Sequence, residues 1–313
     1  MARTVYVNGE YLPEDQGKVS IFDRGFLFAD GVYEVTAAIN GKLVDYDPHM
    51  ERLERSLGEL RMGWPCTKDE LKAMHLELVK RNALREGIIY MQVTRGGADR
   101  DFKFPKDAMP TLVAFTQTMA LVNNTNAVTG VKVVTTPDIR WARRDIKTVM
   151  LLAPVLGKQE AYEKGAQEAW MVEDGFITEG TSSNAYIVKD GKVITRGLSN
   201  AILAGCTRRS LFQLAQEQGI VIEERAFTVD EAYAADEAFL TSASQFVMPI
   251  TEIDGHRIGG GPPGPVVRKL RELFLQEAGK KRPEWQRQRR SRWRRGQRHA
   301  ARRIGWRSLC DLR

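Results

Sequence analysis

The sequence has few cysteines, no long apolar run and no apolar export signal. Its three cysteines are spread over 313 residues, and an odd, widely spaced set excludes a disulfide framework and a cysteine-rich zinc cluster. No window approaches the ~18 consecutive apolar residues of a membrane-spanning helix, and the first residues lead directly into a strand and a turn. We therefore expect an unexported protein of the cytoplasm. With 42% hydrophobic residues, the chain is globular rather than collagen-like, mucin-like or disordered.

The net charge of +7 is unevenly distributed. Residues 281–313 hold thirteen Lys and Arg against two acidic residues, a net charge of +11, which leaves −4 for residues 1–280. This basic tail also holds three of the six tryptophans. Interleaved Arg and Trp suit phosphate contacts and base stacking, so nucleic-acid binding through the tail is one hypothesis. A disordered extension and translation beyond a shifted reading frame are the alternatives.

Residues 1–119 read as an N-terminal α/β domain. The Asn8-Gly9 and Asn40-Gly41 pairs lie between alternating runs and predict two β-hairpins. Apolar residues at helical spacing predict helices over 48–60 and 67–84, the second opened by the capping box of Thr67 and Glu70. Strands are then predicted over 88–94 and 111–115. The polar loop between them, 95–110, is long enough to be functional.

Residues 120–130 are rich in turn-forming residues, and we place an interdomain linker there. Residues 131–280 form the predicted second domain, in which helices and antiparallel hairpins are intermixed without regular strand–helix alternation. Such a pattern indicates an α+β fold. The expected elements are strands over 131–135, 168–172, 185–188, 221–223 and 238–241, helices over 151–164, 207–218 and 266–277, and a loop over 178–183.

Four separated segments carry side chains suited to one chemistry. Lys147 follows a cluster of arginines, and nearby cations lower the pKa of a lysine toward the neutral amine that attacks carbonyls. Glu179, followed by small hydroxyl residues, suits a protonated pyridine nitrogen. Thr207 lies near the start of a helix and Arg52 in the first turns of another, and both positions suit a phosphate. Each segment alone also fits an ordinary loop or helix terminus.

Together and in this order, the segments resemble the fold-type IV pyridoxal-phosphate enzymes, and most closely the D-amino-acid aminotransferases. The resemblance covers about residues 3–278. It is carried by Asp23-Arg24-Gly25-Phe26, Asp30-Gly31-Val32-Tyr33-Glu34-Val35, His49-x-x-Arg52-Leu53, Tyr90-Met91-Gln92-Val93-Thr94-Arg95-Gly96, Arg140-Trp141 to Asp145-Ile146-Lys147, Thr178 to Asn184 and Gly205-Cys206-Thr207-Arg208. It implies a smaller α/β N-terminal domain, a larger pseudo-barrel C-terminal domain and a homodimer.

The resemblance also implies a role for each matching residue. Lys147 matches the lysine that forms a Schiff base with pyridoxal 5'-phosphate and moves the substrate proton. Glu179 matches the partner of the pyridine nitrogen, and Leu203 the residue packed on the ring face. The remaining cofactor-binding positions are those of the phosphate cup and its surroundings: Arg52, Thr207, Cys206, Ser182 and Ser242.

Substrate choice depends on how the α-carboxylate is held. In the D-specific enzymes a tyrosine, an arginine and a histidine hold it, and here Tyr33 and Arg100 match the first two while Phe102 takes the place of the histidine. Ala243 likewise stands where many relatives have a phosphate-contacting threonine, and Ser242 or Ser244 are candidates to replace it.

The resemblance implies ping-pong transamination of D-amino acids, with D-alanine and 2-oxoglutarate giving pyruvate and D-glutamate. A branched-chain L-amino-acid aminotransferase and a 4-amino-4-deoxychorismate lyase share the same lysine, glutamate and arginine, so these three residues do not discriminate among the activities. No membrane partner and no metal are expected.

Overall fold

The computed structural model describes residues 2–279, and the basic tail lies outside the described residues. The strands are β1 Thr4–Val7, β2 Glu10–Pro13, β3 Gly31–Ile39, β4 Lys42–Leu43, β5 Glu86–Thr94, β6 Thr111–Thr118, β7 Val131–Pro137, β8 Glu168–Glu173, β9 Phe176–Gly180, β10 Asn184–Lys189, β11 Lys192–Thr195, β12 Ile222–Glu224, β13 Glu237–Ser242, β14 Phe246–Ile253 and β15 His256–Arg257. The helices are α1 Arg24–Phe28, α2 Tyr46–Glu59, α3 Lys68–Arg81, α4 Asn126–Thr129, α5 Leu152–Glu163, α6 Cys206–Glu217, α7 Val229–Tyr233 and α8 Pro265–Gly279. Among residues 2–279, no helix has the length and apolarity to cross a membrane.

The first sheet is antiparallel, with strand order β2-β1-β6-β5-β3-β4. Both predicted hairpins are present, and Asn8 and Asn40 take the positive φ that such tight turns require. Thr67 and Glu70 form the predicted capping box at the start of α3. The leucines of α2 and α3 cover one face of the sheet, where they pack with Ile89 and Met91 of β5.

The second sheet is mixed, with strand order β12-β11-β10-β13-β14-β7-β8-β9 and β15 paired to β14. Its last strand, β9, leads directly into β10 near the other end of the order, so the sheet curls on itself as a half-barrel. Trp170, Phe227, Leu240 and Ile250 fill its core. The expectation of an α+β fold with a pseudo-barrel second half is thereby confirmed.

The predicted loop over 178–183 is wrong at its start. Residues 176–180 form β9, which pairs with β8 through Val172 opposite Ile177 and Trp170 opposite Gly180, with a register shift between the two pairs. Glu179 therefore lies on a strand. A strand fixes the direction of a side chain more firmly than a loop does.

The segment over 120–130 contains α4, and its Leu121 is fully buried. Leu121 belongs to a core cluster that also includes Ala37 of the first sheet and Phe239 of the second. Arg271 of α8 donates to the carbonyl oxygens of Leu121 (2.8 Å) and Val122 (3.2 Å). This segment is thus packed into the body of the protein, while the division into domains at residues 119 and 131 stays a prediction.

Candidate active site

Lys147 lies in the connection between β7 and α5, against the first sheet. Its backbone carbonyl accepts a hydrogen bond from the Tyr33 N–H (3.0 Å), and Thr148 forms a bridge with Val32. The Lys147 Nζ atom is 4.1 Å from the centre of the Tyr33 ring. Both side chains line a cavity of about 520 Å³. The backbone of the lysine is therefore fixed by β3 while its amine lies in the cavity.

The arginines that precede Lys147 do not act as free cations around it. Arg140 pairs with Asp138 (2.7 Å) and Glu179 (2.6 Å), Arg143 with Glu59 and Asp145, and Arg144 with Glu173. The effect of this segment's cations on the lysine therefore stays a prediction. Their charges are matched by carboxylates, several of them distant in sequence.

Glu179 is buried at the end of β9, and its carboxylate has three donors. Arg140 Nη1 donates to Oε1 (2.6 Å), Asn184 Nδ2 donates to Oε2 (3.0 Å), and the Leu203 N–H donates to Oε2 (3.1 Å). Burial raises the pKa of Glu179, and Arg140 opposes that effect. The result is an oriented carboxyl group in a dry wall of the cavity, which suits a protonated ring nitrogen.

Arg52 on α2 is held by a buried carboxylate. Its Nε and Nη2 atoms donate to the two oxygens of Glu34 (2.8 and 2.7 Å), and its Nη1 donates to the Ala204 carbonyl (3.0 Å). The Nδ1 atom of His49 lies 2.7 Å from Glu34 Oε2. Glu34 and His49 are buried, and Arg52, whose side chain is 9% exposed, places its guanidinium at the cavity wall.

The charges of this network stabilise one another. Burial would raise the pKa of Glu34, but Arg52 and His49 lower it to about 2. Burial would lower the pKa of His49, but the nearby Cys206 sulfur and Glu34 raise it to about 9. His49 and Arg52 thus share the Glu34 carboxylate, and the Arg52 guanidinium is the cation of the network at the cavity wall.

The N-terminus of α6 faces the same part of the cavity. Gly205 is its N-cap without a side-chain capping bond, and the first backbone N–H groups of a helix have no acceptor within the helix. Cys206 and Thr207 follow and line the cavity. A Cβ atom on Gly205 would overlap Asn184 Oδ1, so this position requires glycine. Helix N–H groups, a hydroxyl and the Arg52 guanidinium form a donor set typical of a phosphate site.

The other predicted cofactor-binding residues also line the cavity. Ser182 donates to Glu168 (3.2 Å), as do Thr181 and Ser183, and Leu203 is adjacent to Glu179 through its backbone. Ser242 lies at the end of β13 with its Oγ 3.5 Å from Ser244 Oγ, so that hydroxyls flank Ala243. All seven predicted cofactor-binding side chains therefore come together with Lys147 and Tyr33.

Two predicted substrate residues lie elsewhere. Arg100 and Phe102 are exposed on the loop between β5 and β6 and are not among the residues that line this cavity. In the single chain that the structure describes, Tyr33 is the one predicted carboxylate-binding residue in the cavity wall.

Sequence reasoning did not assign roles to Glu34, His49, Arg140 or Asn184. Glu34 did have a signal in the pattern of β3. It shares the inward face of that strand with Val32 and Thr36, which are both buried, so its carboxylate also lies inside the protein. A polar residue in such a position needs a buried partner. The Arg140–Glu179 pair gave no local signal.

Comparisons with known proteins agree with this geometry. The Amino-transferase class IV family profile matches residues 31–253. A D-alanine aminotransferase of Bacillus licheniformis is 41% identical over 280 residues, covering 88% of this chain and 99% of that protein. A D-alanine aminotransferase of Staphylococcus aureus (strain N315) is 40% identical over 271 residues, covering 86% and 96%.

Solved structures show the same fold. The branched-chain aminotransferase from the thermophilic archaeon Thermoproteus uzoniensis, solved with norvaline, superposes with a TM-score of 0.79 at 26% identity, over 89% of this chain and 95% of that one. The branched-chain enzyme from Escherichia coli superposes with a TM-score of 0.82 at 24% identity, over 91% and 97%.

Proposed function

This chain belongs to the class IV aminotransferases, and from that premise we propose that it transfers the amino group of D-amino acids, with D-alanine as donor and 2-oxoglutarate as acceptor. The observation that carries the proposal is the meeting of Lys147, Glu179 and Arg52 around one cavity. The similarity to D-alanine aminotransferases over nearly their whole length supports the choice of donor.

The residues of the cavity fit pyridoxal phosphate, the cofactor of this family. Arg52 and the N-terminus of α6 would hold the phosphate, Glu179 the ring nitrogen, and Leu203 one face of the ring. Bound there, pyridoxal phosphate supplies an aldehyde that condenses with amines and a ring that withdraws electrons from the substrate carbon. The Arg52 guanidinium and the free N–H groups of α6 suit a dianionic phosphate.

The side chains of this chain then act on the substrate. The Lys147 amine would take the proton from the substrate Cα and deliver it to the C4′ carbon of the bound cofactor, and in the second half-reaction it would move a proton from C4′ to the Cα of the product. Glu179 would hold its carboxyl group against the ring nitrogen, and the hydrogen bond from Arg140 opposes the increase in the pKa of Glu179 that burial causes. Tyr33, whose ring contacts the lysine, lies where it can orient both the lysine and the substrate.

We further propose that the protein is a homodimer in which Arg100 of one copy faces the cavity of the other. Arg100 lies outside the cavity of its own chain, and large exposed apolar side chains surround its loop: Ile21, Phe22, Phe26, Phe102 and Met109. The segment that carries Phe22 and the loop that carries Arg100 are joined by the hydrogen bond from the Ala98 N–H to the Phe22 carbonyl (3.1 Å). Large exposed apolar side chains on neighbouring segments are typical of an interface.

A donor screen tests the proposed function. The full chain is assayed with D-alanine, L-leucine and (R)-1-phenylethylamine against 2-oxoglutarate and pyruvate, with the chirality of the product determined. We expect D-alanine and 2-oxoglutarate to give pyruvate and D-glutamate, and Lys147→Ala to lose this turnover together with the visible absorbance of the bound cofactor. L-leucine as the better donor would support a branched-chain aminotransferase, and pyruvate formed from aminodeoxychorismate without an acceptor would support the lyase.

Mixing two variants that are each impaired with D-alanine tests the homodimer. Lys147→Ala and Arg100→Ala are unfolded together, refolded and assayed with D-alanine. If Arg100 acts on the partner's cavity, mixed dimers hold one intact site and regain activity. If Arg100 acts within its own chain, every site of the mixture lacks one residue, and activity does not return.

A further inference from the structure

The backbone beside Arg100 is held by a buried arginine. Arg24 at the start of α1 is 3% exposed, pairs with Asp30 (2.8 Å) and donates through Nη1 to the carbonyl of Asp101 (2.6 Å). Asp101 is the residue between Arg100 and Phe102. A charged donor at this distance forms a strong hydrogen bond, so the tip of the loop is anchored to the body of the protein.

The Asp30 carboxylate also holds the start of the loop in place. Asp30 accepts two hydrogen bonds from Arg95 (2.7 and 3.0 Å), and the Arg95 guanidinium carbon lies 3.6 Å from the centre of the Phe104 ring. Arg95 and Phe104 belong to the loop on either side of Arg100. The segment that carries Arg100 is therefore fixed from both sides, although it is exposed and lacks regular secondary structure.

The Arg100 guanidinium lies against two aromatic rings. Its central carbon is 5.4 Å from the ring centre of Phe28 and 5.4 Å from that of Phe102. The centres of the Phe28 and Phe102 rings are 5.5 Å apart. The Arg24 guanidinium carbon also lies near Phe28, 4.6 Å from its ring centre. Phe102 is 77% exposed, so burial in a core does not account for its place.

We propose that Phe28 and Phe102 are positioning residues that hold the Arg100 guanidinium ready for the α-carboxylate of the substrate. The proposal depends on the proposed function, in which Arg100 binds that carboxylate. An arginine side chain loses rotamer freedom when it binds, and a guanidinium already packed on rings loses less. The packed rings leave the edge of the guanidinium free to form two parallel hydrogen bonds to a carboxylate. Phe102 thus acts through Arg100 rather than by its own contact with substrate.

A double-mutant cycle tests this role. Phe102→Leu removes the ring and keeps an apolar side chain, and Phe28→Leu does the same on the other side. A cation–ring contact at an exposed site corresponds to about a 2- to 5-fold change in affinity. We expect each variant to raise the KM for D-alanine by about that factor with kcat nearly unchanged, and Phe102→Tyr to restore the wild-type KM.

Three comparisons separate this role from a merely structural one. The KM for (R)-1-phenylethylamine, which has no carboxylate, should not change in Phe102→Leu. In the Arg100→Ala background, Phe102→Leu should add nothing further. Phe176→Leu, which makes the same change at an exposed ring outside the proposed interface (40% exposed), serves as the matched control and should leave the KM for D-alanine unchanged. Where turnover is slow, the half-reaction with D-alanine is followed by the absorbance of the bound cofactor.

The two proposals fail in different ways. If Arg100→Ala leaves the KM for D-alanine unchanged, the assignment of Arg100 in the proposed function is wrong, whatever Phe102→Leu does. If Arg100→Ala raises that KM while Phe102→Leu and Phe28→Leu do not, the rings have no positioning role. An equal effect of Phe102→Leu with and without Arg100, or on the carboxylate-free amine, also overturns the proposal.

Discussion

Replacement of Glu34 by glutamine tests the network that holds Arg52. Glu34 is fully buried and accepts three hydrogen bonds, two from Arg52 (2.8 and 2.7 Å) and one from His49 (2.7 Å). Glutamine keeps the size of the side chain but removes its charge, and its amide nitrogen would face donors. Glu34→Gln therefore leaves a buried guanidinium and a buried imidazole without their shared counter-charge.

The size of the effect follows from this burial. Loss of one partner of a buried ion pair typically destabilises a protein by about 3–5 kcal/mol. For a chain of this size, that corresponds to a decrease of roughly 5–8 °C in the thermal midpoint. Because Arg52 also loses its fixed orientation, we expect affinity for the cofactor phosphate to fall by about tenfold or more, equivalent to about 1.4 kcal/mol.

The assay combines thermal unfolding with cofactor titration, each for the wild type and Glu34→Gln. Glu77→Gln is the matched control, because Glu77 pairs with Arg81 (2.8 Å) on the exposed face of α3 and should leave both quantities unchanged. An unchanged thermal midpoint in Glu34→Gln would refute the structural role of the network. A lower midpoint with unchanged cofactor affinity would refute its link to the phosphate site.

Two further predictions concern pH and packing. The pKa of Glu34 is about 2 against an ordinary 4.5, so the stability that its charge gives the fold is complete above pH 4.5 and is lost as the pH falls toward 2. The pKa of His49 is about 9 against an ordinary 6.5, so the stability that its charge gives the fold is complete below pH 6.5 and is lost as the pH rises through 9. Denaturation midpoints of the wild type should accordingly decline at both extremes, and a flat profile would contradict this. Gly205→Ala should destabilise the protein by about 1–3 kcal/mol, because the added Cβ overlaps Asn184. Gly58→Ala on α2, where the added Cβ meets open space, should stabilise the protein by about 0.5–1 kcal/mol. Equal denaturation midpoints for the two variants would contradict the packing around Gly205.

Local chemistry accounts for the elements that the sequence predicts well. The hairpins at Asn8-Gly9 and Asn40-Gly41 and the capping box at Thr67 are determined by a few adjacent residues, and the structure contains all three. The segments that bear Lys147, Glu179 and Arg52 are different, because each alone also fits an ordinary loop or helix terminus and only their joint occurrence in this order indicates a role.

The elements that sequence reasoning missed depend on distant contacts. Strand β14 reads Phe246 to Ile253 with nearly every residue buried, so it lacks the alternation that marks a half-exposed strand. The register of β9 against β8 is set by a sheet that forms only when distant segments meet. The Arg140–Glu179 pair joins residues 39 positions apart, and no local pattern predicts it.

The site itself lies where the two sheets meet, which explains why its motifs are scattered along the chain. The Tyr33 N–H of the first sheet donates to the Lys147 carbonyl, and Arg52 donates to the Ala204 carbonyl ahead of α6. The first of these bonds holds the backbone of the lysine in place. It does not involve the side chain, so the amine can still move. In the proposed mechanism Lys147 binds the cofactor and then moves a proton, which requires this combination of a fixed backbone and a movable amine. Neither sheet provides it alone, so the catalytic geometry and the association of the two sheets form together.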